Sequence, residues 1–135
     1  MSHLTTFKNN SLINTKKDLL IKAIEEIPGL SIDFDKKNVR NTWIDEPVDA
    51  CFKKDGNYIA VGVRFEKTKD GDEQLTVAGD FYGTGLRQEE LTNKIAQVYQ
   101  KHNVIATCEE ARWFVDEDKI REENGEIIIE AYRYA

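Results

Sequence analysis

Apolar residues recur at helical spacing in two places along the chain. Leu19, Leu20, Ala23, Ile24 and Ile27 share one face between a capping Asn14 or Thr15 and the stop at Pro28-Gly29, which predicts the clearest helix. Leu91, Ile95, Val98 and Tyr99 predict a second helix from about Gln88. Beyond it the pattern is ambiguous: Val104, Cys108 and Ala111 fit a helix, whereas Val104, Ala106 and Cys108 fit alternation. A second helical segment after a break at Asn103 is expected.

Elsewhere a period of two dominates. Leu4 to Phe7 reads as a first strand, and Leu30, Ile32 and Phe34 alternate with polar residues as a half-buried one. The polar stretch that follows, to about Pro47, contains Trp43 and has no assignable period. A meander is expected next: Val48 to Lys53, an Asp55-Gly56 turn, Tyr58 to Phe65, a turn at Lys69-Asp70-Gly71-Asp72, then Leu75 to Tyr82. The chain closes with Trp113 to Arg121, an Asn124-Gly125 turn and Glu126 to Tyr134, in which Ile127, Ile129 and Ala131 face away from Ile128, Glu130 and Tyr132.

Two main helices and six or seven strands, paired mostly by hairpins with both helices on one face, describe an α+β two-layer sandwich with a mostly antiparallel sheet. A ferredoxin-like arrangement is the simplest variant. At 135 residues the chain is the size of a single domain, 1–135, that buries roughly two-thirds of its unfolded surface without staples.

Composition removes several classes of function. The net charge of -6 is concentrated in the carboxyl half: residues 1–67 hold 11 Lys/Arg against 10 Asp/Glu, and residues 68–135 hold 8 against 15. The basic pairs Lys16-Lys17, Lys36-Lys37 and Lys53-Lys54 are scattered, which disfavours nucleic acid as a partner. The two cysteines, Cys51 and Cys108, have none of the spacing of a zinc knuckle or redox pair and are expected to be small apolar residues, not a disulfide. The start of the chain lacks the apolar run of a signal peptide, and no stretch approaches the roughly 18 apolar residues of a membrane span. The expected compartment is the cytoplasm, without membrane contact.

Three stretches carry a likeness to known proteins: Met1 to Lys8, the block Ala78-Gly79-Asp80-Phe81-Tyr82-Gly83-Thr84-Gly85-Leu86, and Asn124 to Tyr134. On these the chain resembles a family of small cyanobacterial, red-algal-plastid and bacterial proteins described as a conserved reading frame of unknown function. The spacer from Asp33 to Glu46 and the turn from Lys67 to Glu73 differ from the more compact members. Members are often encoded near ATPases of the AAA+ type, so the resemblance implies an accessory or adaptor role, and it supplies no catalytic residue.

The candidate chemistry is sparse. Met1-Ser2-His3 has the amine, amides and imidazole that suit Cu(II) or Ni(II), a set that removal of Met1 would destroy, and the plainer reading makes His3 the start of an edge strand. Gly83, Thr84 and Gly85 lie between a strand and a helix, where backbone N–H groups attract anions, although the lysine and glycine spacing of a P-loop are missing. His102 extends the apolar face of the second helix and is either an acid–base group or a helix-end histidine. From Glu109 to Glu130, nine acidic residues face Arg112, Lys119 and Arg121. This stretch reads first as a solvated face that protects an edge strand, or as one that steers a basic partner or holds a divalent cation.

Trp43, in a polar loop, and Tyr132 are the kind of aromatic residue that anchors interfaces, and Glu117 and Asp118 join them as partner-contact candidates. No catalytic set converges, and no metal or cofactor is expected. The sequence therefore points to a non-catalytic binding or adaptor protein with a protein partner, an AAA+-type ATPase being the one the resemblance implies. The alternative is a small-molecule or anion-binding domain, or a minor enzyme, using His102 with Asp80 or Glu109 around the glycine turn. Two-fold self-association is compatible with either.

Overall fold

The computed structural model describes residues 2–8, 12–123 and 126–132, and two helices laid on one face of an antiparallel meander set its framework. Helix α1 spans Lys17–Glu25, and its Leu19, Leu20, Ala23 and Ile24 are buried, as the helical spacing predicts. Neither Asn14 nor Thr15 caps it. Asn14 adopts a left-handed φ of 49° and is drawn away to Asp72 and Glu73, while the N-cap is Lys16, whose N–H donates 2.9 Å to the hydroxyl of Tyr99.

The larger sheet is built from β2 (Leu30–Asp33), β5 (Ala50–Lys54), β6 (Asn57–Lys67) and β7 (Glu73–Gly79), in that spatial order. All neighbours are antiparallel. The order is a plain meander, in place of the split β–α–β arrangement of the ferredoxin-like variant. Asp55 and Gly56, both at positive φ, make the tight turn between β5 and β6. Alternate residues of these strands, Leu30, Ala50, Phe52, Val61, Val63, Leu75 and Val77, meet α1 and α2 (Gln88–Glu110) in the main core. Burying a side chain of this kind stabilises by roughly 1.5–3 kcal/mol.

The unassigned polar stretch proves to be a two-stranded ribbon, β3 (Asn38–Arg40) with β4 (Asp45–Pro47), lying on the opposite face of the larger sheet. Val39 and Val48 pack on Cys51 there, with Ile44 beside them. Gly62 makes the approach possible, because a Cβ at that position would lie 2.3 Å from the carbonyl oxygen of Ala50 and 3.1 Å from Val39 and Val48. Cys51 is buried, Cys108 is half-buried, and the two are unlinked.

The expected break at Asn103 does not occur: α2 is one helix of 23 residues. It continues because Val104 and Ile105 have a second surface to cover. That surface is a smaller sheet, in which β10 (Glu126–Tyr132) pairs with β1 (Ser2–Lys8) on one side and with β8 (Phe114–Val115) and β9 (Arg121–Glu123) on the other. Ile105 is buried with Ile127 and Ile129. Enclosed by the two sheets and α1, residues Ile95 to Tyr99 of α2 are all buried, Gln97 included, which blurs its amphipathic period. The expected strand from Trp113 to Arg121 is divided by a short 3-10 helix, Glu117–Lys119, capped by the carboxylate of Asp116. No described helix is long and apolar enough to cross a membrane. The Asn124-Gly125 turn and the side chain of His3 lie outside the described residues.

Candidate functional site

Two loops with the same local chemistry converge at one end of the larger sheet. At the tip of the ribbon, the side-chain oxygen of Asn41 accepts the N–H groups of Trp43 at 2.8 Å and Ile44 at 2.9 Å. In the loop after β7, Oδ1 of Asp80 accepts the N–H of Tyr82 at 3.0 Å. Each is a side-chain turn that places an aromatic residue two positions on. The two are then joined directly, because Nδ2 of Asn41 donates to Oδ2 of Asp80 at 2.9 Å. The amide of Asn41 and the N–H of Tyr82 hold the Asp80 carboxyl below its ordinary range.

The aromatics these turns carry are the most exposed in the molecule among the described residues: Trp43 at 79% and Tyr82 at 86%. Between the loops is an open cleft of about 400 Å³, lined by Arg40, Asn41, Lys54, Tyr58, Asp80 and Tyr82 among others. Tyr58, itself 48% exposed, is braced from three sides. Its hydroxyl donates to Asp33 at 2.5 Å, and the ammonium groups of Lys53 and Lys36 stand 4.7 and 5.3 Å from its ring centre. That hydroxyl and the N–H of Asp35 together lower the Asp33 carboxyl, and the phenol is correspondingly raised by the hydrogen bond to Asp33.

Gly83 and Thr84 form part of the cleft wall, but the turn is closed upon itself. Thr84 donates its hydroxyl to the carbonyl of Phe81 at 2.6 Å and accepts the N–H of Leu86 at 3.1 Å, and its own N–H goes to Phe81 at 3.2 Å. The amides of Thr84 and Leu86 are thereby spent within the turn. Its carbonyl at Thr84 accepts the ammonium of Lys54, which lies over Gly85, where a Cβ would meet Nζ at 3.2 Å.

His102 is not brought to this cleft. It lies about 20 Å along α2 from Gln88, at about 1.5 Å per residue, and faces the end of α1. Its Nε2 is 3.2 Å from Oε1 of Glu26 but without hydrogen-bond alignment. Lys101 donates to both oxygens of Glu26, at 3.0 and 2.8 Å. Burial pushes the Glu26 carboxyl up, and Lys101, helped by His102, outweighs it and holds the group below its ordinary range. The arrangement clamps α1 to α2. Glu109 is elsewhere again, beside Arg112 and Trp113, so His102, Asp80 and Glu109 occupy three separate places.

The remaining candidates belong to the smaller sheet. Glu117 and Asp118 are exposed on the 3-10 turn, and Tyr132 is half-buried, its hydroxyl 3.3 Å from Nζ of Lys119, which also stands over the ring. Among the described residues no group of three or more His, Cys, Asp or Glu side chains gathers for a metal. Sequence reading singled out Trp43 and the glycine turn but not Asn41, Lys54, Tyr58 or Tyr82 as their companions. The shared spacing of Asn41 to Trp43 and Asp80 to Tyr82 is the signal that points to the two loops. Compared with known protein families, curated proteins and solved structures, the chain matches none.

Proposed function

We propose that the chain is a non-catalytic binding or adaptor module that engages a protein partner at the cleft between the ribbon tip and the glycine turn. The observation that carries this reading is the exposure of Trp43 and Tyr82 on two loops joined by the Asn41–Asp80 hydrogen bond. A large aromatic ring left in water forgoes stabilisation of the order of 2 kcal/mol, and a rigidly held one regains it on binding at little entropic cost. The separation of His102, Asp80 and Glu109 supports binding over catalysis. The resemblance to the conserved reading-frame family adds the partner class: an AAA+-type ATPase.

The test is affinity capture from native extract with the wild-type protein, Trp43→Ala and Tyr82→Ala side by side, read by quantitative mass spectrometry. One partner recovered with wild type and depleted about tenfold or more with both variants is the expected outcome, each ring being worth about 1.4 kcal/mol or more. A partner retained equally by all three places the contact off the cleft. Light scattering of the purified protein identifies the case in which the partner is a second copy.

A further inference from the structure

We propose that a second site, a pocket between α2 and the smaller sheet, binds a small zwitterion of the free α-amino-acid class, with Gln97, Lys94 and Glu122 as its polar contacts. It stands apart from the cleft and does not rest on the reading given to it.

A buried polar side chain in a folded protein is normally paired. Two polar residues are buried among the described ones, Thr84 and Gln97. The hydroxyl of Thr84 is satisfied within the glycine turn. Gln97, only 6% exposed, has no side-chain hydrogen bond among the described residues, and it lines a pocket of about 380 Å³. Its amide is not sealed in, for the side-chain atoms enclosed without a partner are Oγ1 of Thr68 and Nε2 of His102. A buried amide with donors and acceptor unspent is thus reached through the pocket.

Lys94, Gln97, Val98 and Lys101 fall at intervals of three and four on α2 and form one stripe. Across from them, Glu122 of β9 is in register with Ile127 of β10, so the two share a face of the smaller sheet. Both line the same pocket. Lys101 and Glu26 line it too but are spent on each other, at 3.0 and 2.8 Å. Lys94 and Glu122 remain. Among the described residues neither makes an ion pair, with each other or with any other group.

One free cation and one free carboxylate in a single pocket, out of contact with each other, call for a ligand that carries both charges. A simple anion or cation would satisfy half of the site. Because Lys94 and Glu122 are exposed, each charge contributes modestly, and the buried amide between helix and sheet supplies the remaining polar contact. Val98 and Ile127, each 7% exposed, give the lining an apolar part for a side chain. The volume lies at the lower end of small-molecule sites, roughly 300–1,000 Å³, so the occupant is small.

The test uses the full chain labelled with nitrogen-15, in which the side-chain amide signal of Gln97 is identified by its absence from Gln97→Leu. The probes are free amino acids with apolar side chains, their N-acetyl derivatives and their α-amides. Free amino acids are expected to move the Gln97 signal, and capping either end should weaken the apparent affinity about tenfold, the loss of one charge-assisted contact. In Lys94→Gln the free and amidated forms should bind alike, and in Glu122→Gln the free and acetylated forms. Gln97→Leu should lose binding yet melt no lower than wild type, since it removes polar atoms that the fold leaves unpaired. Capped forms that bind as well as free ones overturn the inference. So does a Gln97 signal that no amino acid moves, or affinity undiminished in Gln97→Leu when followed by thermal shift.

Discussion

Asn41 uses all the hydrogen-bonding sides of its amide that matter here: two backbone N–H groups on its oxygen and Asp80 on its nitrogen. Glu26 plays the equivalent part between the helices, and its energetic weight can be read from pH. Its pKa in the folded protein is lowered, so its contribution is present above the unfolded value, near 4.3, and lost as pH falls through the folded value. Glu26→Gln should cost at most about 1 kcal/mol at pH 7, because the side chain is 41% exposed and screened by water. In urea melts, the gap between wild type and variant should close below about pH 4; a gap that widens in acid would refute the clamp. At this scale the sequence was half readable. The intervals Asn41 to Trp43 and Asp80 to Tyr82 are visible on the page, but a hydrogen bond between side chains 39 positions apart is a product of packing.

Among the elements, the ribbon and the long helix depart most from the hydrophobic pattern, and for opposite reasons. The ribbon strands are three residues each and bury one side chain apiece at most, so no period develops, and the structure comes from docking on the sheet through Gly62. Gly62→Ala should therefore cost about 1–3 kcal/mol in denaturant unfolding and raise hydrogen exchange across Asn38 to Pro47; a change below about 0.5 kcal/mol would mean that the ribbon tolerates displacement. Helix α2 has too many buried positions for one stripe, since it serves two sheets. Ile105→Ala should cost about 2–4 kcal/mol and deprotect the amides of β10, a response expected only if the helix end carries the smaller sheet. The meander, with Asp55-Gly56 in its turn, and α1 were legible because their cues are local.

For the molecule as a whole, acidic charge gathers at the smaller sheet, around which Asp116, Glu117, Asp118, Glu122 and Glu123 lie, whereas at the cleft Lys54 and Arg40 are accompanied by Asp55 and Asp80. The open edge of β7 is covered. The carbonyl of Leu12 accepts the N–H of Leu75, the N–H of Asn14 reaches Glu73, and Gln88 donates its side chain to the carbonyl of Val77 at 2.7 Å. That shielding steers contacts away from the strand edge and toward the loops.

The pairing of β1 with β10, and the hydroxyl of Tyr99 on the N–H of Lys16, set a timetable for biosynthesis. On a ribosome adding about 5–20 residues per second, β1 waits on the order of ten seconds for its neighbour, since the residues between Lys8 and Glu126 must be made first. The larger sheet, with its sequential hairpins, assembles ahead of it. Of the described strands β1 is thus among the last to be secured, and a nascent chain arrested before β10 would present the hairpins of the larger sheet with β1 still unpaired.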